Sequence, residues 1–228
     1  MLALSYTVIP VIAVIIGAIV ATLRKPSDAL VSAMQHLAAG VVFAAAAVEI
    51  LPQVKHEGSP AATLIGGALG VIVMLALKSL EGRVKGPVAL LGAIGIDILI
   101  DGLVLGLAFV AGAKAGILLT IALTLEVLFL GVTLATELKE TIAARLKVVA
   151  AVAAVALLLP IGALVALPVA SFPPVVIAGF LSFGLMALLY LVTEELLFEA
   201  HEKPDTPLIS SMFFLGFLAL LTFEEIIG

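Results

Sequence analysis

The sequence predicts an all-α integral membrane protein in which eight helices cross the bilayer, as one domain over residues 1–228. Apolar residues make up 64% of the chain and charged residues only 12%, whereas soluble domains contain about 45–50% apolar and about 25% charged residues. The apolar residues form uninterrupted runs of about 20 residues, which is the length that a helix needs to cross the hydrocarbon core. Strands of a membrane barrel would instead alternate polar and apolar residues over about 10 positions.

The eight apolar runs leave room only for short connections. In chain order they are Ser5–Leu23, Ala29–Leu51, Ala61–Leu80, Gly86–Val110, Gly116–Thr136, Val148–Leu167, Val175–Glu195 and Leu208–Phe223. Proline marks several boundaries: we expect Pro52 to end the second helix, and Pro173 and Pro174 to form the turn before the seventh. The turn Ala111–Ala115 makes the fourth and fifth helices antiparallel neighbours.

Basic residues are distributed unequally between the two sets of connections. Nine of the 11 Lys and Arg residues lie near connections that follow odd-numbered runs, namely Arg24, Lys25, Lys78, Arg83, Lys85, Lys139, Arg145, Lys147 and Lys203. The other set has only Lys55 and Lys114. Because cytoplasmic loops are enriched in Lys and Arg, we expect a multi-pass cell-membrane protein with both termini extracytoplasmic.

Composition excludes several classes of function. The net charge of −5 disfavours nucleic acid as a partner, since phosphates attract basic surfaces. The absence of Cys excludes disulfides, thiolate metal sites and a cysteine nucleophile. The small charged fraction excludes a soluble enzyme, so the lipid bilayer is the expected environment.

Three acidic residues interrupt the apolar runs near their midpoints: Asp97 and Asp101 in the fourth run, and Glu126 in the fifth. Each carboxylate at the bilayer centre costs about 2.5–3.5 kcal/mol, and every Lys and Arg lies in a connection or at the end of a run. The acids must therefore be protonated, hydrated in a cavity, or neutralised by an incoming cation. Carboxylate oxygens are the natural ligands of divalent cations.

The spacing of these acids predicts a shared site. Asp97 and Asp101 are i and i+4, which places them on one helical face, and the antiparallel fifth helix brings Glu126 to the same depth. The segments Asp97–Gly102 and Glu126–Gly131 both read acid, four residues, glycine, a pattern typical of inverted-repeat transporter sites. We expect their glycines to let the fourth and fifth helices approach closely.

Other polar residues have two interpretations each. An intramembrane acid can be a protonated side chain hydrogen-bonded to a neighbour, and Thr124 could serve Glu126 in that way. His36 is either a neutral, hydrogen-bonded side chain or a ligand on the exit path. Glu49 is either an interfacial acid or a metal-capturing residue, and Glu224 and Glu225 are expected only to solvate the outer terminus.

The order of these motifs resembles the ZIP (Zrt/Irt-like) family of divalent metal transporters over nearly the whole chain. The second run contains His36-Leu-Ala-Ala-Gly and Glu49-Ile-Leu-Pro, and the seventh contains Glu194-Glu-Leu-Leu-Phe-Glu-Ala-His201. The last of these is similar to the family's acid-Glu-Leu-Ile-Pro-Glu-Ala-His. The resemblance implies a ZIP-like bundle of eight helices with inverted-repeat organisation and extracytoplasmic termini. It also implies metal-release ligands at Glu195, Glu199 and His201.

The chain departs from the family at several ligand positions. Asp97 and Glu126 replace its signature histidines, and Ile98, Val127 and Leu130 replace its second-site ligands. One metal position with oxygen ligands is then expected, which favours Mn²⁺, Mg²⁺ or Ca²⁺ over Zn²⁺, with Fe²⁺ and Zn²⁺ left open.

The sequence therefore predicts a non-enzymatic transporter whose substrate is a divalent metal ion. Its metal-binding residues would be Asp97, Asp101, Glu126, His36, Glu195, Glu199 and His201. The alternative is a non-transporting membrane protein that binds an ion structurally or as a sensor. An intramembrane hydrolase is a weaker rival, because its two aspartates belong on facing helices rather than one turn apart. Homodimer formation is left open.

Overall fold

The computed structural model describes residues 2–81, 86–202 and 206–227, and within these segments all regular structure is helical. The prediction of eight helices long and apolar enough to cross a membrane is confirmed for the described residues. The helices are α1 (Leu2–Leu23), α2 (Asp28–Glu57), α3 (Pro60–Glu81), α4 (Pro87–Ala111), α5 (Ala113–Thr141), α6 (Arg145–Ser171), α7 (Pro174–His201) and α8 (Pro207–Ile227). Arg83, Lys85 and Lys203, which contribute to the predicted charge bias, lie outside the described residues.

Helices α2 and α7 each contain a π-helical turn. These turns span Ala46–Ile50 in α2 and Leu191–Leu196 in α7. The expectation that Pro52 ends the second helix is wrong, because α2 continues through it to Glu57. In the π turn the hydrogen bonds have already shifted to i→i−5, as in Leu51 N–H to Ala46 O. Pro52 follows directly, where the ladder is already interrupted, so its missing N–H is tolerated there.

Helix α6 is broken once. Its first part ends at Ala156 and its second part begins at Leu158. Pro160 lies just after the break and has no N–H to donate back to Ala156, which is the usual reason for a helix to be interrupted at this spacing. The helix ends in a 3₁₀ turn over Leu167–Ser171.

The helices pack as two groups. Helix α1 packs along α5 and α4 packs along α6, while α2 packs along α8 and α3 along α7. We call α1, α4, α5 and α6 the first group, and α2, α3, α7 and α8 the second group. The groups meet mainly where α2 contacts α5 and where α4 contacts α7. The acid-bearing helices α4 and α5 therefore face the second group across this boundary.

The glycines of the two acidic segments do not bring α4 and α5 together as expected. A Cβ on Gly102 would collide with the backbone carbonyl of Leu159 in α6, and one on Gly131 would collide with that of Val14 in α1. Close approach at glycine lets helix backbones pack tightly in a membrane. Here these contacts join α4 to α6 and α5 to α1, so each acidic helix packs closely on another helix of the first group.

The two ends of the bundle differ in which connections they contain. Because consecutive helices run in opposite directions, the connections after α1, α3, α5 and α7 share one end, which we call the basic end. Both chain termini and the other three connections share the opposite end, which we call the terminal end. At the basic end Lys139 donates to the carbonyls of Ala21 and Thr22 at 3.4 and 3.2 Å, where α1 ends, so it neutralises carbonyls that the helix leaves unpaired.

Candidate functional site

Two of the three predicted acids are almost completely buried in the bundle. Asp101 is 1% exposed and Glu126 is 3% exposed. One carboxyl oxygen of each, Asp101 Oδ2 and Glu126 Oε2, has no hydrogen-bond partner among the described residues. Native proteins rarely leave a buried polar atom unsatisfied, and such atoms frequently mark functional groups.

A cavity of about 160 Å³ extends from the middle of the helices towards the basic end. Asp97 and Glu126 border its deep part, and Gln35, Glu137 and Glu199 border the part nearer the basic end. Glu195 also lines the cavity. The cavity has room for several water molecules, so a hydrated route from the basic end reaches the middle of the bundle.

The three predicted acids border adjoining spaces. Asp97 and Asp101 line a narrow crevice between α4 and α7, next to Met74 of α3. The Asp97 side chain is half-buried and also faces the cavity. Glu126 lines the cavity together with Asp97 and Glu195. Asp97 thus borders both the cavity that Glu126 lines and the crevice that Asp101 lines, and a single site formed by the three acids stays a prediction.

The acids do not converge as preformed metal ligands. Within residues 2–81, 86–202 and 206–227, no group of three or more His, Asp or Glu side chains is arranged to hold a metal ion. Asp97, Asp101 and Glu126 thus surround a common region without a coordination geometry. Any ion bound there requires the carboxyl groups to move by side-chain rotation.

Glu195 lies further from the end of α7 than the other two residues predicted on this helix, Glu199 and His201. The resemblance implied that Glu195 is a release ligand together with Glu199 and His201. In the structure Glu195 lies within the π turn Leu191–Leu196 and lines the cavity together with Asp97 and Glu126. Glu195 therefore accompanies the central acids, and π turns are frequent at functional sites.

Sequence reasoning missed several polar residues that border the cavity, among them Gln35 and Lys78. The buried Gln35 donates from Nε2 to Glu199 Oε2 at 2.7 Å, which ties α2 to α7 beside the cavity. Lys78 also borders the cavity, and its Nζ donates to the carbonyl of Glu194 at 3.3 Å. Lys78 lies in the last turn of α3, in agreement with the expectation that basic residues lie at the ends of runs, and it borders the cavity at its mouth. Nothing in the sequence signalled Gln35 except its position next to His36.

His36 and His201 lie against each other at the basic end. Their ring centroids are 5.0 Å apart in an edge-on arrangement. His36 is 1% exposed, and its Nδ1 is 2.9 Å from the carbonyl of Ser32. The Nδ1 of His201, an exposed residue, is 2.6 Å from the carbonyl of Leu197. A nitrogen that faces a carbonyl carries the proton, so in each neutral ring Nε2 is the basic nitrogen.

Glu224 at the terminal end does more than solvate the chain terminus. Lys114 Nζ lies 2.5 Å from Glu224 Oε1 and 3.9 Å from Glu49 Oε1. The sequence expectation for Glu224 is therefore wrong, because a partner 110 positions away in the chain lies beside it. Glu225 is exposed, as expected.

No protein-family model matches this chain, and no curated protein matches it either.

Proposed function

We propose that this protein is a ZIP-like transporter that moves a divalent metal cation across a membrane, with Asp101, Glu126 and Asp97 as its central site. The observation that carries the proposal is the pair of buried carboxyl groups, each with an unpartnered oxygen, in the middle of an apolar bundle. An intramembrane ionisable group is expensive to keep and is by default functional. A cation that binds between these carboxyl groups compensates that cost.

The cavity supports a route for the ion. It connects Asp97 and Glu126 to the basic end past Glu195 and Glu199. His36 and His201 lie at the same end. Because six of the eight Lys and Arg residues that the structure describes lie at this end, the positive-inside rule makes it the cytoplasmic side, and the termini extracytoplasmic. The ion then leaves the central site through this cavity into the cytoplasm.

The ligands at the centre determine which ions suit the site. Asp97, Asp101, Glu126 and Glu195 offer only carboxylate oxygens, which suit Mn²⁺, Mg²⁺, Ca²⁺ and Fe²⁺ better than Zn²⁺. Since the carboxyl groups are not preformed ligands, binding requires them to rotate towards the ion. A site that is assembled only around the ion is suited to release as well as to capture.

The pairing of the helices supports an inverted repeat. In such a repeat α1, α2 and α3 correspond to α6, α7 and α8, and α4 corresponds to α5. The α1–α5 pair then corresponds to the α6–α4 pair, and the α2–α8 pair to the α7–α3 pair. These four pairs are the main helix pairings observed. The same exchange relates the two helices that contain π turns, α2 and α7. Repeats of opposite orientation around a midplane site are the architecture through which transporters alternate access.

The proposal is tested by metal uptake into liposomes containing the purified protein. We expect uptake of at least one of Mg²⁺, Ca²⁺, Mn²⁺, Fe²⁺, Co²⁺, Zn²⁺ and Cd²⁺. Asp101→Ala and Glu126→Ala should each abolish it while the proteins remain folded. Glu140→Gln is the matched control, because Glu140 is an exposed acid on the same helix as Glu126 and should transport normally. Unchanged uptake in both alanine variants would refute the site.

The main alternative is an ion-binding protein that does not transport. It predicts that a divalent cation raises the melting temperature of the wild-type protein, with no flux of any of the seven ions. A hydrolase remains disfavoured, since Asp97 and Asp101 lie one turn apart on α4 and cannot flank a peptide bond from opposite sides.

A further inference from the structure

A cluster of three charged side chains joins the two helix groups at the terminal end. Lys114 near the start of α5 contacts Glu224 of α8 at 2.5 Å and Glu49 of α2 at 3.9 Å. The carboxylate side chains are 18% and 10% exposed, while the Lys114 side chain is 41% exposed. The two carboxylates are thus largely enclosed, and a single lysine lies between them.

The cluster connects elements that otherwise belong to different groups. Lys114 is on α5, in the first group, whereas Glu49 and Glu224 are on α2 and α8, which pair with each other in the second group. Glu49 lies within the π turn Ala46–Ile50, a departure from α-helical geometry of the kind found at functional positions.

The packing below the cluster is tight. Between the charged cluster and Glu126, the side chains of Leu119 and Leu123 on α5 are at most 1% exposed, as are those of Ala45 and Ala46 on α2. The site is therefore sealed on the terminal side, whereas the cavity described above reaches it from the basic side. The ion pairs lie on the sealed side, at the boundary between the two groups.

We propose that Lys114, Glu49 and Glu224 form an ionic latch that holds the two helix groups together at the terminal end. The latch keeps the central site closed on that side while its cavity is open to the basic end. Opening the terminal side requires Lys114 to leave Glu224 and Glu49. This inference rests on the proposed transport function for its biological role, but the latch itself is tested without any metal.

The test measures how accessible a buried position next to the latch becomes. The natural chain contains no Cys, so a single cysteine is a specific reporter. Ala46→Cys lies one turn deeper than Glu49 and is 0% exposed as Ala, and it should react slowly with a maleimide in purified, metal-free protein. Adding Lys114→Gln or Glu224→Gln should raise its reaction rate by about fivefold, the upper range of what a partly exposed ion pair contributes. The rate follows the population of the open form.

Three controls separate a latch from general loosening. Glu225→Gln removes an exposed acid next to Glu224 and should leave the Ala46→Cys rate unchanged. Exchanging all three charges, with Lys114→Glu, Glu49→Lys and Glu224→Lys combined, should restore slow labelling. A second reporter, Ala93→Cys, lines the cavity on the basic side, and its rate should stay the same or fall when the latch is broken.

The outcomes distinguish the latch from transport. Unchanged Ala46→Cys labelling in both single variants, or equal rises at Ala46→Cys and Ala93→Cys, would overturn the latch and leave the transport proposal standing. Absence of metal flux in the wild-type protein would overturn the transport proposal, but increased labelling in the single variants would still support the latch. If Lys114→Gln fails to fold, the labelling rates of Glu224→Gln and of the variant with exchanged charges test the latch instead.

Discussion

Asp101 and Glu126 occupy positions where a hydrophobic side chain would be the stable choice. Each is nearly fully buried, with one carboxyl oxygen that lacks a partner among the described residues. A buried polar group without a hydrogen bond costs free energy, and a buried charge costs considerably more. These residues therefore reduce the stability of the bundle, as is common where function and stability compete.

This competition predicts opposite effects on stability and activity. Asp101→Asn and Glu126→Gln keep the side-chain shape but remove the charge, so each should melt at an equal or higher temperature than the wild-type protein. Metal uptake should fall at least about tenfold, which corresponds to about 1.4 kcal/mol of lost ion binding. Thermal unfolding and uptake are measured on the same preparations. A clear fall in melting temperature for both variants would mean that the carboxyl groups serve the fold instead.

At the scale of single helices, the glycines decide which pairs can approach closely. The reciprocal contacts of Gly17 with Leu128 and of Gly131 with Val14 join α1 to α5 backbone to backbone. Gly102 joins α4 to α6 in the same way. In a membrane, where lipid competes equally for apolar surface, such close packing is a main source of helix association.

Adding a methyl group at one of these contacts should separate the helices. Gly131→Ala places a Cβ against the Val14 carbonyl and 2.9 Å from Val14 Cγ2, and it should lower the free energy of unfolding by about 1–3 kcal/mol. Gly92→Ala is the matched control on α4, because nothing lies within 4 Å of its added Cβ. It should be neutral or stabilise by up to about 1 kcal/mol. Similar melting temperatures for the two variants would argue against close packing at Gly131.

For the whole molecule, surface chemistry is divided between the sides and the ends of the bundle. In the most apolar segments of helices α3 and α8, only 22% and 11% of the residues are buried in the bundle. Large apolar faces of these two helices therefore point outwards, as lipid contact requires. Charged side chains concentrate at the two ends, with the basic residues mainly at one of them. This asymmetry is the physical basis for orienting the molecule in a membrane.

The orientation is tested with two single cysteines in intact cells. His56→Cys lies at the terminal end, where the histidine side chain is 83% exposed, and Ala143→Cys lies in an exposed connection at the basic end. A membrane-impermeant maleimide should label His56→Cys and leave Ala143→Cys unlabelled until the cells are permeabilised. The reverse pattern would invert the direction of the proposed route.

Much of the helical framework could be predicted from the sequence because it depends on local properties of each segment. The length and apolarity of each run determine that it forms a spanning helix, and the three central acids stand out because each interrupts such a run. Their common depth also followed from chain position, since α4 and α5 are joined only by Gly112. Boundaries were less accurate where a π turn intervened, as at Pro52.

The contacts between distant segments were decided by the tertiary structure. A π turn cannot be predicted from composition, yet Glu195, which lines the central cavity, lies within one. The partners of Gly102 and Gly131 depend on which helices lie side by side, and so does the ion pair between Lys114 and Glu224 across 110 positions. Hydropathy determines that a helix enters the membrane, because that is a transfer between solvents. Its neighbours are chosen by side-chain shape and charge, which only the assembled bundle brings together.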